Sequence, residues 1–176
     1  MGRLFSCIIL PRAIKMIRKA NISDLDEIID IYSLAREFMK KNNNPNQWGD
    51  TYPSRELIED DINNGICYVL FEGKLIYGVF VLIFGEDPTY LNIYEGNWKS
   101  SSSYATIHRI ASNNKRSGVL KEAVNFAKDK YDHLRVDTYI DNKVMQHCIL
   151  KEGFTYQGII KLEDGSPRLA YEWINK

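Results

Sequence analysis

The strongest constraint on how this chain folds is the order in which its hydrophobic periodicity changes. Leu25, Ile28, Ile29, Tyr32, Ala35, Phe38 and Met39 recur at helical spacing, with Asp24, Glu27, Asp30 and Lys40 largely off that stripe, so one helix face is apolar. Ser23 is the expected cap, with Asp26 as the capping-box acid. An Asn- and Pro-rich loop over 42–53 leads to a weaker helical pattern over 54–64, carried by Leu57, Ile58 and Ile62. The β-rich runs 67–71 and 75–84 flank Glu72-Gly73-Lys74, a hairpin signal. Strands are expected at 104–112 and 134–139, separated by a helix over 116–130 whose Val119, Leu120, Ala123, Val124, Phe126 and Ala127 face inward. Asp141 is the expected cap of a helix ending at Gly153, and 154–160 and 168–173 are the last two strands. With a short extended piece at 16–20, the order is β-α-α-β-β-β-α-β-α-β-β. That order implies an α/β fold, a mixed sheet of about seven strands with helices packed on it.

The 176 residues suffice for one domain and are short for two. Residues 1–15 carry Arg3, Arg12 and Lys15 with no acid, and read as a tail outside a single domain over 16–176; Met16 reads as an alternative start. Lys plus Arg and Asp plus Glu are 23 each, which argues against a nonspecific nucleic-acid or membrane-surface binder. The most apolar run, 75–85, is far shorter than a membrane span. Cys7, Cys67 and Cys148 are widely spaced, offering neither a disulfide framework nor a metal-ligand pair, so a reducing cytoplasm and no metal are expected. A homodimer is the default assembly on prior frequency.

The chemistry is expected where a strand passes into a helix through Asn113-Asn114-Lys115-Arg116-Ser117-Gly118-Val119. Free amides at a helix start suit a phosphate, Lys115 and Arg116 add charge, and Gly118 lets the backbone approach an anion. A polar loop that merely caps a helix is the alternative. The connection over 86–103 is longer than usual and holds Tyr90, Tyr94, Trp98 and the acids Glu86, Asp87 and Glu95. Alternation along 104–112 places Thr106, His108, Ile110 and Ser112 on one face. An imidazole titrates near neutral pH, so His108 is the candidate base; a histidine satisfied in the sheet or paired with an acid is the alternative. His133 and His147 are expected in solvent.

In element order and in two motif regions, residues 16–175 resemble the GNAT family of acetyl-CoA-dependent N-acetyltransferases. The first region is Ile107-His108-Arg109-Ile110-Ala111-Ser112 with Lys115-Arg116-Ser117-Gly118-Val119-Leu120, which keeps only the middle glycine of Q/R-x-x-G-x-G/A. The second is Asp137-Thr138, Asp141-Asn142, Met145 and Gly153-Phe154; the ending from Gly158 to Glu172 is similar to a bacterial subgroup with a small domain. The resemblance implies two parallel strands, 104–112 and 134–140, that splay to admit the pantetheine arm of acetyl-CoA. It implies that Ile110 and Ser112 line that arm, that amides of Lys115, Arg116, Ser117, Gly118 and Val119 cradle the pyrophosphate, and that Asn142 holds the cofactor opposite. The family's usual acid, a tyrosine four residues before Gly-Phe, falls at Ile149. Tyr139 or Tyr104 would have to approach from the strands, or the thiolate leaves unaided. Trp48, Tyr52, Tyr90 and Trp98 are the expected walls of an acceptor site for a small amine, amino acid or peptide N-terminus. Direct transfer in a ternary complex is expected; the alternative is a catalytically silent acyl-CoA-binding sensor or scaffold.

Overall fold

The structure, a computed structural model, describes residues 15–175. Apart from Lys15, the expected tail lies outside the described residues. Among the described residues seven strands and four α-helices follow in chain order: β1 Lys15–Lys19, α1 Leu25–Lys41, α2 Arg55–Asn63, β2 Cys67–Glu72, β3 Leu75–Phe84, β4 Ala105–Ser112, α3 Val119–Lys128, β5 His133–Thr138, α4 Lys143–Lys151, β6 Thr155–Lys161 and β7 Pro167–Ile174. They form one mixed sheet in the order β1-β2-β3-β4-β5-β7-β6, so the α/β architecture and the element order follow the sequence expectation. No helix among the described residues is long and apolar enough to cross a membrane.

The helix caps differ from expectation in two places. A 3₁₀ turn at Ile22–Asp24 precedes α1 and moves the cap upstream of Ser23. There the Asn21 N–H donates to Asp24 at 2.8 Å, while Arg18 grips both carboxylate oxygens at 2.6 and 2.9 Å. Hydrogen bonding from Arg18 outweighs burial and holds the Asp24 carboxyl below its usual range. At α4 the cap is Asn142, not Asp141, with Oδ1 accepting from Met145 N–H at 3.0 Å. Ser54 caps α2 as its type suggests, accepting from Leu57 N–H at 3.2 Å. The third helix is shorter than its pattern: it starts at Val119, because Gly118 has φ 87 and cannot continue a right-handed turn.

Two apolar clusters lie on the two faces of the sheet. Leu25, Ile28, Ile31, Tyr32 and Ala35 of α1 and Ile58 and Ile62 of α2 cover Val69, Ile76, Val79, Val81 and Ala111. Val119, Ala123, Val124 and Ala127 of α3 and Ile149 of α4 cover Phe80, Leu82, Ala105, Ile107, Leu134 and Val136. At the end of α1 the stripe drifts out of the core, and Phe38 is exposed.

Two irregularities of β4 shape the site. Its parallel pairing with β5 runs only through Ala105–Leu134, Thr106–Arg135 and Ile107–Val136, after which the strands diverge. In its pairing with β3, Val81 faces His108 but Val79 faces Ala111, so Arg109 and Ile110 together oppose Phe80 and form a bulge. Arg109 takes φ 48 there. The bulge reverses the alternation: Ala105, Ile107 and Ile110 all meet the α3/α4 cluster, whereas Ala111 meets the α1/α2 cluster. Ile110 therefore does not share a face with His108 as strict alternation predicts.

The 86–103 connection is fixed to the sheet rather than free. Tyr94 and Ile159 exchange main-chain hydrogen bonds of 2.7 and 2.8 Å, and Lys99 N–H donates to Glu172 at 2.8 Å. Arg135 lies 3.8 Å from the Trp98 ring and 3.9 Å from the Tyr104 ring. His133, expected in solvent, is 2 % exposed within β5 with Nε2 2.7 Å from Glu172. β5 starts one residue before its apolar run, because His133 pairs with Ile174 of antiparallel β7, which carries it into the sheet. His147 is exposed on α4 as expected.

The docking of this connection depends on Gly96, where a Cβ would stand 1.8 Å from the main-chain oxygen of Gln157. No rotamer change relieves a clash with backbone. Gly96→Ala is expected to lift the connection and cost at least about 1–3 kcal/mol, read as a lower urea midpoint.

Candidate active site

The divergence of β4 from β5 opens a cleft of about 790 Å³. Its walls come from the α1–α2 loop (Asn46, Gln47, Trp48, Tyr52), the start of the 86–103 connection (Asp87, Thr89), β4 (Ile107 to Ile110), β5 (Val136 to Thr138), Met145 of α4, and Arg168 of β7 with the turn before it. Cleft and splay coincide, so the gap in backbone pairing and the functional side chains share one space.

His108 stands where the strands part. Its Nε2 lies 2.8 Å from Asp87 Oδ2, and its ring meets Tyr90 edge-on at 5.8 Å. Thr89 donates to Asp87 Oδ1 from both its N–H (2.9 Å) and its hydroxyl (2.6 Å). Burial opposes the Asp87 charge, yet the hydrogen bonds from His108 and Thr89 prevail and hold the carboxyl at about 2. An ionised Asp87 only accepts, so His108 presents Nε2–H to it. In the neutral ring Nδ1 is then the acceptor, and it has no partner among the described residues. His108 is thus paired with an acid, as the second sequence alternative has it, and it also lines the cleft.

The bulge beside it is pinned from two sides. Arg109 forks Asp61 of α2 at 2.9 and 2.8 Å, and the buried Tyr32 hydroxyl donates to the Arg109 carbonyl at 2.8 Å. Such bidentate pairing fixes geometry as well as charge. Burial raises the Asp61 carboxyl in spite of the adjacent guanidinium. Deeper along β5, Asp137 accepts from the Tyr90 hydroxyl at 2.6 Å and lies 3.9 Å from Arg168. The Thr138 hydroxyl is buried on the cleft wall with no partner among the described residues.

The glycine loop offers an anion cradle. Asn114 N–H and Lys115 N–H are taken up locally by Ser112 Oγ and Asn113 Oδ1. Among the described residues, the amides of Ser117, Gly118, Val119 and Leu120 have no acceptor in the chain, which is the arrangement that suits a phosphate at a helix start. A Cβ on Gly118 would meet only Glu122 Oε1, at 3.9 Å, so its positive φ and room for an approaching ligand account for glycine there. Arg116 is not a free cation: its guanidinium bonds Glu72 at 2.8 Å.

Of the expected acceptor aromatics, Trp48 and Tyr52 line the cleft. Tyr90 and Trp98 do not. Tyr90 is fully buried, and Trp98 stacks on it at 5.8 Å and donates to its carbonyl, so both anchor the connection. Tyr139 lies past the end of β5, outside the cleft lining, its ring 5.0 Å from Arg168. Ile149 is 1 % exposed in the core and has no proton to give. Burial pushes the Cys67 thiol up to about 12, so it is no nucleophile. Asn142 uses both its polar atoms, one in the cap and one toward Gln47 at 2.8 Å. Sequence reasoning missed Asp61, Gln47 and Arg168, which owe their place to long-range packing, and it gave Asp87 no link to His108. A histidine with an acid about twenty residues before it was a signal too common to single out.

No protein-family model matches the chain, and no curated protein does. Solved structures match throughout. A GNAT-family acetyltransferase from Streptococcus agalactiae is 34% identical, with 92% of this chain and 96% of that one covered and a TM-score of 0.82. A Staphylococcus aureus protein described as an acetyltransferase is 28% identical over 92% and 99% of the two chains, with a TM-score of 0.69. A more distant chain, from the NatC complex bound to Gag peptide and CoA, shares the fold at 13% identity, with 92% and 99% covered and a TM-score of 0.61. Identity, coverage and the splayed parallel pair agree, and the chain belongs to the GNAT family of acetyltransferases.

Proposed function

We propose that this acyltransferase moves an acetyl group from acetyl-CoA to an amine, which a small amine, an amino acid or a peptide N-terminus would supply, by direct attack within a ternary complex. The observation that carries the reading is the His108–Asp87 pair at the point where β4 and β5 part. Acetyl-CoA, when bound, supplies the activated thioester. The backbone of β4 beyond Ile107, no longer paired with β5, suits an extended amide-bearing arm on that side, with Ile110, Ser112 and Thr138 beside it. The amides from Ser117 to Leu120, with Lys115, suit the pyrophosphate.

His108 Nδ1 takes a proton from the attacking amine as the new C–N bond forms, and the C–S bond breaks to release CoA as its thiolate. A thiolate is a tolerable leaving group, since an ordinary thiol ionises near about 8.5. That fits Ile149, which leaves α4 without an acid. Asp87 acts through His108 as a positioning residue. Trp48 and Tyr52 supply the acceptor wall. The NatC chain, which shares the fold and has been solved with CoA, supports the choice of donor.

Calorimetric titration with acetyl-CoA and CoA, followed by thiol release over an amine library, tests the reading; absence of binding would refute it. His108→Ala is expected to lower kcat by about a hundredfold to ten-thousandfold with CoA affinity retained, and an unchanged rate and pH profile would remove histidine from the mechanism. Gly118→Val is expected to weaken CoA binding severalfold, because a branched residue does not hold φ 87; equal affinity would reduce the loop to a helix cap.

The acid limb of stability gives a further test. Since the Asp87 carboxyl is depressed to about 2, its contribution is complete above the ordinary carboxylate range near pH 4 and is lost as the pH falls through about 2. Urea midpoints of Asp87→Asn should lie below wild type at pH 6 and converge on it between about pH 4 and pH 2. A gap that stays constant over that range would show that Asp87 is not held ionised by its partners.

A further inference from the structure

Gln47 ties together the two halves of the cleft. The α1–α2 loop that carries it is anchored on the β4 side, by Trp48 against Tyr32 with ring centroids 5.6 Å apart and by Tyr52 Oη 3.4 Å from Arg109. Its Oε1 reaches across, accepting from Asn142 Nδ2 at 2.8 Å, and also takes Asn44 Nδ2 at 2.8 Å. Its main-chain carbonyl lies 3.5 Å from Arg168 of β7. The amide orientation follows from the cap: Asn142 Oδ1 is occupied by Met145 N–H, so Asn142 has only Nδ2 to offer and Gln47 must present oxygen. Gln47 Nε2 then has no acceptor among the described residues.

This bridge lies at the C-terminal end of β5, where the strands have diverged. Gln47 lines the cleft, and its bond to the start of α4, whose Met145 also lines the cleft, consumes Asn142 Nδ2. A CoA arm that draws on Asn142 Nδ2 therefore competes with the Gln47–Asn142 bond. Binding that must first open such a contact loses affinity in proportion to the closed population.

We propose that Gln47 is a positioning residue that couples occupancy of the splay to the acceptor loop: it latches the loop to Asn142, and entry of the CoA arm takes over Asn142 Nδ2 and frees the loop. This rests on the CoA site proposed above. The coupling is limited to about one hydrogen bond, hence about a two- to tenfold effect.

The test is calorimetric titration of CoA into wild type, Gln47→Leu and Gln47→Glu, with hydrogen exchange of residues 42–53 followed in each. Gln47→Leu lacks the latch and is expected to bind CoA about two- to tenfold tighter, the opposite of what mere damage to the fold would do, while its KM for the acceptor rises. Gln47→Glu still accepts from both amides and is expected to bind no tighter than wild type. In wild type, CoA should speed exchange of 42–53; in Gln47→Leu, exchange should be fast from the start and indifferent to CoA. Equal or weaker CoA affinity in Gln47→Leu, or tightening in Gln47→Glu, overturns the latch alone. If Gln47→Leu does not fold, wild-type exchange in 42–53 that ignores CoA overturns it equally. Failure of wild type to bind CoA overturns the latch and the proposed function together.

Discussion

A single extra residue in β4 governs the rest of the molecule. At Arg109 the strand takes a left-handed turn that a residue with a side chain adopts only under constraint, and the constraint is visible: a forked ion pair to Asp61 on one helix and a hydroxyl from Tyr32 on another. The bulge ends regular alternation immediately after His108. It thereby leaves the imidazole on one side of the sheet while Ile110 packs on the other. It also coincides with the loss of pairing to β5, so the backbone opening and His108 share one place.

Charge is distributed to serve that geometry. The formal balance of 23 cations and 23 anions says nothing of location, yet several of the ions are buried in pairs around the cleft or under the connection. Asp87 holds His108, Asp61 holds Arg109, Asp137 sits between Tyr90 and Arg168, and Glu172 joins His133 to Arg135. Breaking a buried pair by removing one partner costs far more than the pair contributes. These contacts therefore specify where loops dock more than they add to stability.

Elements carried by local pattern were legible in the sequence. The stripe of α1, the hairpin of β2 and β3, the inward face of α3 and the left-handed glycines at 118 and 153 each follow from spacing or backbone preference. What could not be read depends on residues far apart in the chain. Nothing local marks Arg109 as the bulge, since its φ is imposed by Asp61 and Tyr32. His133 looked like a loop residue because its apolar neighbours begin only at Leu134, while the partner that buries it is Glu172. In the site, His108 and the glycine loop were visible as chemistry on a strand and at a helix start. The aromatics divided by packing alone: Trp48 and Tyr52 reach the cleft, while Tyr90 and Trp98 are spent on holding a connection down.

The main-chain exchange between Tyr94 and Ile159 lies on the outer side of β6, the last strand of the sheet. An uncovered last strand is a template on which another chain can add a strand of its own. Here part of that template is already taken by the protein's own connection, and Gly96 and Gly158 let the two backbones approach closely enough to keep it so. At the opposite border the described part of β1 carries Lys15, Arg18 and Lys19, and charged side chains are a device by which edge strands resist pairing. The segment that brings Asp87 to His108 thus also guards the sheet against unwanted extension, and a lesion that loosens it would expose a sticky border as well as part that pair.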